Sequence, residues 1–369
     1  MAWELFCRKP DLVLLSSYSE YLAPFWIWPH LVFAKLLGVI YVANIHDPVR
    51  GYVVGPKWWH NLSVRMAYWP ISVGVVHQRL LEPSPMPSYV HVVEAPVGVY
   101  DLQESPENPE AIRAAWGVGM SELKSRDGAL GITCSGDFAC SPSSSEFVRD
   151  SETTSLIRSA DATAYSPASG YSPLATPASS EVVFLAFGFI RDNKNLDLVI
   201  RALVENPAAV LVVMGRAQSK KDKPLEFYRN LAAELGVQDR VKFFDGFVPD
   251  EKLASYFAAA DVVVLTYDGS FHSQSGVLNV AARARRPVLA SAGESPLKDC
   301  VQKFQLGVFV EPDNLEALKE GMRVVASNEW RAASGKTDWE GYEEFASWDV
   351  NVAKILEGVE EVRQKKLKC

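Results

Sequence analysis

Short, uninterrupted apolar runs alternate with amphipathic segments through the second half of the chain, and this alternation restricts the fold more than any other feature. From Glu181 onward the runs are EVVFLAFG, AVLVVMG, RVKFFDG, DVVVLT, PVLAS and LGVFVEP. After the first run, Leu196, Val199, Ile200 and Leu203 recur at the spacing of one helical face. Strands without in/out alternation, separated by helices, indicate a parallel sheet that is covered on both faces.

The first part of the chain shows the same rhythm less sharply. Apolar runs occur at residues 11–16, 38–47, 71–78 and 89–99, with helix-length segments between the first three. The sequence therefore predicts an α/β chain with two Rossmann-like, doubly wound parallel-sheet domains. The predicted boundaries are a first domain at 1–107, a linker with a Ser/Pro-rich disordered insertion at 108–180, a second domain at 181–345, and a terminal helix and tail at 346–369.

Charge and cysteine content exclude several classes of protein. The formal net charge is −8, which argues against non-specific binding of nucleic acid, since that requires a basic surface. The five cysteines are far apart and include no Cys-x-x-Cys pair, so neither a disulfide framework nor a zinc site is expected. A reducing, cytoplasmic location is the simplest expectation.

The most apolar stretch runs from Tyr21 to Ile45 and contains two prolines, His30 and Lys35. These residues interrupt it, so it does not resemble a membrane-spanning helix. A buried helix that leads into a buried strand is the main expectation. The tryptophans leave peripheral contact with a membrane surface as an alternative, because aromatic rings favour the headgroup region.

Ligands of open parallel sheets bind outside the carboxyl ends of the strands, so the turns at those ends are the candidate site. Four such turns follow strands of the second domain, at Gly188–Lys194, Gly246–Val248, Thr266–Val277 and Ala290–Pro296. In the third turn, Ser275 and Gly276 stand where a helix begins. The first amides of a helix lack intrahelical partners and carry partial positive charge, which suits a phosphate group.

Two cations, Arg191 and Lys194, are predicted at the same edge of the sheet, where they would neutralise a diphosphate. The alternative is ordinary helix capping by Ser275, with Arg191 and Lys194 as solvated surface residues.

The order and spacing of these segments resemble the donor-binding half of retaining GT-B glycosyltransferases of the large group-one type. The segments that carry the resemblance are FGFIRDNKNLDLVIRAL, VKFFDGFVPDEKLASYFAAADVVVLTYDGSFHSQSGVLNVAARARRPVLASAGESPLKDC and LGVFVEPDNLEALKEGM. The resemblance covers residues 181 to 360 well and 11 to 117 more weakly. The closing FASWDVNVAKILEGVEEV is similar to a terminal helix that crosses back onto the first domain.

The resemblance implies roles for particular residues. Lys194, six positions after Gly188, would contact the donor diphosphate, and Arg191 would replace the arginine that the family often has at the position of Phe189. His46 would hydrogen-bond the transferring sugar. The implied catalytic residues are thus His46, Lys194 and Arg191, and the implied donor-binding residues are Gly188, Gly246, Phe247, Val248, His272, Ser275, Gly276, Val277 and Glu294.

This chain departs from the family pattern at the two glutamates that contact the donor. Their positions hold His272 and Val280, or Ser273 and Ala281 with a one-residue gap, and Glu294 is the nearest acid downstream. The glycine of the family's A-x-G-x-P motif is replaced by Arg285. The first domain also begins near what resembles a third or later strand, so an incomplete sheet with an exposed edge, exposed apolar surface and a tendency to oligomerise is expected.

The implied function is transfer of a sugar from a nucleotide-diphosphate sugar to a glycan, lipid or small-molecule acceptor with retention of configuration. No cofactor and no metal ion are expected. Two alternatives stay open: a degenerate protein that binds a nucleotide sugar or a protein partner without turnover, and a nucleotide-sugar epimerase on the same fold.

Overall fold

The computed structural model describes residues 10–16, 20–45, 55–80, 84, 86–99, 102, 107–118, 181–327, 330 and 336–368. His46 and most of the predicted linker, residues 119–180, lie outside this set. The predictions made for them stay predictions.

The first domain contains a parallel sheet of four strands in the order β1-β2-β3-β4. The two inner strands are almost entirely buried, as expected for strands covered on both faces. Helices follow the first two strands, as the apolar pattern predicts. The elements are β1 (Leu12–Leu15), α1 (Ala23–Leu36), β2 (Ile40–Ile45), α2 (Lys57–Ala67), β3 (Val73–Val76), β4 (His91–Glu94) and α3 (Pro109–Ala115).

The second domain contains a parallel sheet of six strands in the order β10-β9-β8-β5-β6-β7. The strand order reverses between β5 and β8, so a crevice opens there at the carboxyl ends of the strands. The predicted doubly wound topology is confirmed. Its elements are β5 (Val182–Phe187), α4 (Leu196–Ala202), β6 (Ala209–Met214), α5 (Leu225–Glu234), β7 (Val241–Phe244), α6 (Asp250–Ala259), β8 (Val262–Thr266), α7 (Gly276–Arg283), β9 (Val288–Ser291), α8 (Pro296–Lys303), β10 (Gly307–Phe309), α9 (Leu315–Ala326), α10 (Trp339–Phe345) and α11 (Trp348–Lys368).

The terminal helix α11 crosses back onto the first domain, as the resemblance implies. It packs against β3 and β4, and Val359 and Val362 join the apolar cluster on that face of the sheet. Gly358 lies so close to Val93 that any side chain larger than hydrogen would overlap it. The helix thus covers the first sheet while it remains part of the second half of the chain.

Side-chain amides fix the seam between the two domains. Asn279 donates hydrogen bonds to the carbonyl oxygens of Val97 (3.1 Å) and Gly98 (3.0 Å). The Asn279 side-chain oxygen accepts a hydrogen bond from the hydroxyl of Tyr342, and Asn351 donates to the carbonyl of Pro96 at 2.6 Å. The segment after β4 is therefore held by two buried amide side chains of the second half of the chain, one of which is itself bonded by Tyr342.

The expectation that the apolar segment 21–45 forms a fully buried helix and strand is wrong for the helix. β2 is buried, but α1 buries only one face, on which His30 hydrogen-bonds Tyr41 at 3.1 Å. The opposite face is exposed, with Phe25 at 73% and Leu36 at 77% of full accessibility. A run that is apolar on every side gives no periodic signal, so the sequence could not show which side faces solvent. No helix in the described part of the chain is long and apolar enough to cross a bilayer.

Candidate active site

Lys194 lies above the carboxyl end of β5, on a short 3-10 turn at Asp192–Lys194. Its amine donates a hydrogen bond to the carbonyl oxygen of Phe187 at 2.9 Å. The chain leaves the strand through Gly188, whose φ of +89° places it in the region that favours glycine. A Cβ at Gly188 would lie 3.6 Å from the Lys194 amine. The turn therefore holds the amine against bare backbone, where a ligand can reach it.

A second glycine allows this close packing. Gly215 directly follows β6 and has a φ of +147°. Any Cβ at Gly215 would overlap the carbonyl oxygen of Gly188. The backbone at the ends of the two neighbouring strands is thus in direct contact below the amine of Lys194.

The charge of Lys194 is destabilised in the absence of a ligand. Burial and, to a lesser degree, the nearby positive charge of Arg191 together lower its pKa to about 8. Arg191 itself is exposed. Two cations on one turn repel each other, and a bound anion would remove that repulsion and compensate the desolvation of Lys194.

Hydrogen bonds join the turn after β8 to the turn after β5. The Thr266 hydroxyl donates to the backbone carbonyl of Lys194 at 3.0 Å, and the Asp268 amide donates to the carbonyl of Asn193 at 2.9 Å. A small cavity at this junction is lined by residues of both turns, including Gly188, Lys194 and Tyr267. The structure therefore brings the first and third predicted turns together at the strand-order reversal.

The helix α7 begins at Gly276, and no side chain caps it. The alternative in which Ser275 is an ordinary helix cap is wrong, because its hydroxyl instead pairs with that of Tyr267 at 3.0 Å. Burial raises the pKa of Tyr267, so its hydroxyl stays protonated. Tyr267 also stacks on Phe271, with ring centroids 3.8 Å apart and planes at 10°. Among the described residues none accepts a hydrogen bond from the Gly276 amide, so this helix start can accept an anion.

An acidic residue lies beside the position where the family pattern expects one. His272 donates from Nδ1 to the backbone carbonyl of Glu294 at 2.9 Å. The Glu294 carboxylate is exposed. It lies 2.5 Å from the amine of Lys298 and 4.0 Å from the guanidinium of Arg79. The hydrogen bond from Lys298 holds the pKa of Glu294 below its usual range. Glu294 thus brings an ionised, ion-paired carboxylate into the neighbourhood of His272, although it comes from a different turn.

The remaining predicted residues are placed differently. Gly246 to Val248 follow β7, which is separated from β5 by β6. Phe247 is 82% exposed, whereas Val248 packs against the core of the domain. Val277 also packs against that core, and Val280 and Ala281 are buried in it. Neither Val280 nor Ala281 therefore faces the cleft.

Arg79, which sequence reasoning did not select, joins the first domain to this site. Its amide donates to the carbonyl of His272 at 2.8 Å, and its guanidinium pairs with Asp299 at 2.5 Å. The Gln274 amide also donates to the carbonyl of His77 at 3.0 Å. The only sequence signal was a polar HQR triplet directly after β3, which by itself does not indicate a partner in the other domain.

No metal centre is apparent in the part of the chain that the structure describes, where three or more His, Cys, Asp or Glu side chains nowhere gather as potential metal ligands. Whether the reaction needs a metal ion is not decided by this, and the expectation of a metal-independent reaction stays a prediction.

Residues 175–338, which include all four turns, match the model of the family described as "Glycosyl transferases group 1". This part of the chain is therefore similar to the group 1 glycosyl transferases. The D-inositol 3-phosphate glycosyltransferase of Corynebacterium efficiens is 31% identical over 144 residues, which are 37% of this chain and 32% of that protein. The enzyme of the same name from Rhodococcus opacus is 29% identical over 210 residues, 54% of this chain and 45% of that protein. The match thus spans less than half the length of these relatives.

The fold of the chain has solved counterparts. Anabaena Alr3699/HepE, solved in complex with UDP and glucose, superposes with a TM-score of 0.60 at 14% identity and covers 99% of this chain and 81% of that chain. At this identity the likeness establishes the fold alone. The two parallel-sheet domains form the GT-B fold that the resemblance implies.

Proposed function

We propose that this protein is a glycosyltransferase that moves a sugar from a nucleotide-diphosphate sugar to an acceptor with retention of anomeric configuration. The observation that carries the proposal is that the turn with Arg191 and Lys194 is hydrogen-bonded to the turn after β8, in which Tyr267 contacts Ser275 at the uncapped start of α7. The names of the relatives, and the UDP and glucose bound to Alr3699/HepE, support this choice of reaction class.

The arrangement suits the charge that develops during transfer. When the bond between the sugar and the donor breaks, the departing diphosphate gains negative charge. Cations and amides that are already aimed at that position stabilise the transition state more than the ground state. A diphosphate would favour the protonated form of Lys194, whose pKa is near 8 without it. The proposed role of His46 at the transferring sugar completes the site.

Thermal-shift and turnover measurements test the proposal. Nucleoside diphosphates and their sugar conjugates should raise the melting temperature, because they bind only the folded state. Lys194→Ala should lower donor turnover on the order of a hundredfold, the effect of losing one preorganised charge. The matched control is Lys365→Ala, since Lys365 is exposed near the end of α11. Equal turnover in the Lys194→Ala variant and the wild type would refute the role of Lys194.

A second candidate, a protein that binds the nucleotide sugar without turnover, is favoured by one observation. The positions of the family glutamates offer no carboxylate, and Val280 and Ala281 are buried in the core.

We propose that Glu294 supplies the missing acid. Glu294→Gln should therefore weaken binding of the sugar conjugate more than binding of the free nucleoside diphosphate. Donor-induced stabilisation without hydrolysis or transfer would instead identify a binding protein. Epimer formation without an acceptor would indicate the epimerase alternative.

A further inference from the structure

The outer face of helix α1 is apolar although it faces solvent. Ala23, Ile27 and Phe33 are buried on the inner side. The outer side carries Phe25, Trp28, Val32 and Leu36, which are 73%, 56%, 49% and 77% exposed. Their spacing of three, four and four residues places them in one row. A helix that is apolar on all sides is ordinarily buried on all sides, so we expect this exposed row to contact a binding partner.

Helix α2 extends this surface. Trp58 is 66% exposed, and the rings of Trp58 and Trp59 lie 5.7 Å apart. The Trp59 ring in turn lies 5.8 Å from that of Phe25. The aromatic face is defined here as Phe25, Trp28, Val32, Leu36 and Trp58. It is one continuous surface formed by two helices.

The charge around the aromatic face is opposite in sign to that of the whole protein. The two helices contain Lys35, Lys57 and Arg65, a net charge of +3, whereas the chain carries −8. Neither α1 nor α2 contains an Asp or Glu. Lys57 and Arg65 on α2 are exposed. The apolar surface is therefore bordered by cations without acidic residues in the same helices.

We propose that the aromatic face docks in the plane of an anionic lipid membrane. Tryptophan and phenylalanine rings suit the boundary between headgroups and acyl chains, and each nearby cation gains from the negative surface potential. The 14 residues of α1 span about 21 Å, too short for a hydrocarbon core of about 30 Å. The helix would therefore lie along the surface. This association goes beyond the proposed transfer reaction.

A second copy of the chain fits the aromatic face less well. A two-fold symmetric contact places the same patch on both partners. Lys57 and Arg65 would then face the same patch of the other copy, with no acidic residue of α1 or α2 to compensate. An anionic lipid surface supplies the compensating charge.

Vesicle co-sedimentation of the full chain tests the electrostatic part. The wild type should bind vesicles of phosphatidylcholine with phosphatidylglycerol, bind phosphatidylcholine alone weakly, and lose affinity as salt rises. Replacing both Lys57 and Arg65 by Gln should weaken binding on the order of 25-fold, about fivefold for each cation. The matched control replaces Lys220 and Lys221, exposed lysines of the other domain, by Gln. Equal losses in both pairs would overturn the proposal.

A second pair of variants tests the apolar part. Phe25→Ser with Trp58→Ser should weaken vesicle binding at least tenfold, because binding would no longer transfer these two large apolar side chains out of water. Leu356→Ser with Leu367→Ser is the control, since these leucines of α11 are 56% and 79% exposed. Unchanged binding of the Phe25/Trp58 variant would overturn the proposal. The proposal would also be overturned if the wild type formed a stable dimer that does not bind vesicles and if the Phe25/Trp58 substitutions dissociated this dimer. These readouts do not depend on transferase activity.

Discussion

Replacing Lys194 by methionine should stabilise the free protein and at the same time impair donor binding. The pKa of Lys194 lies near 8 instead of the ordinary 10.5, mainly because the side chain is desolvated. Each pKa unit corresponds to about 1.4 kcal/mol, so the charge costs about 3 kcal/mol at neutral pH. Methionine removes this cost but forfeits the hydrogen bond to Phe187, which contributes about 1 kcal/mol. Because Lys194 keeps some contact with solvent, we expect a net gain of about 1–2 kcal/mol.

Differential scanning calorimetry across pH measures this gain. In a domain of this size, 1 kcal/mol raises the melting temperature by about 2–4 °C. The unfolded chain holds the Lys194 proton up to pH 10.5, whereas the folded protein releases it near pH 8. The stability of the wild type therefore rises with pH across this window. The advantage of the Lys194→Met variant should be complete below pH 8 and should shrink toward pH 10.5.

Donor binding should change in the opposite direction. Loss of a charged hydrogen bond to the diphosphate should weaken binding on the order of tenfold to a hundredfold. For the wild type, affinity should fall as pH rises above 8, because the free amine loses its charge there. Lys365→Met provides the control for removing a lysine charge elsewhere, since Lys365 is exposed on α11. A Lys194→Met variant that melts lower than the wild type, or that binds nucleoside diphosphates equally well, would refute the reasoning.

Three further changes test the packing around the site. Arg285 has a φ of +52°, so Arg285→Gly should be about 1 kcal/mol more stable than Arg285→Ala in urea unfolding, although both lose the same ion pairs. Gly358→Leu should destabilise by about 2 kcal/mol in the same assay, because the new side chain would overlap Val93. Asn279→Leu should cost about 3 kcal/mol by guanidinium titration, because two buried carbonyls and the Tyr342 hydroxyl lose their partner. Changes below about 0.5 kcal/mol in any of the three would contradict its explanation.

The strand pattern was predictable because buried parallel strands are continuous apolar runs. Each expected run contains an observed strand, for example Ile40–Ile45 within 38–47 and Val73–Val76 within 71–78. Their carboxyl ends share one edge, so the meeting of the turns after β5 and β8 also followed from topology. The exposed outer face of α1 could not be predicted, because a segment that is apolar on every side has no amphipathic pattern to show which side is covered.

The chemistry of the site was less predictable than its position. Spacing identified Lys194, but its lowered pKa results from burial and from Arg191, which only coordinates show. Ser275 pairs with Tyr267 at 3.0 Å and does not cap the helix, contrary to the alternative that the sequence left open. Arg79 contacts the other domain, where its partner Asp299 is 220 positions away in the sequence. No local pattern records such a partner.

The contact between Gly188 and Gly215 has a consequence for engineering. The floor of the cleft below Lys194 is made of main chain at this point, and a side chain at Gly215 would push the two strands apart. Randomised libraries aimed at new sugar donors would lose most of their folded members if they varied Gly215. Diversity is better introduced on the surrounding rim, at exposed Phe189, where an altered side chain leaves the scaffold intact.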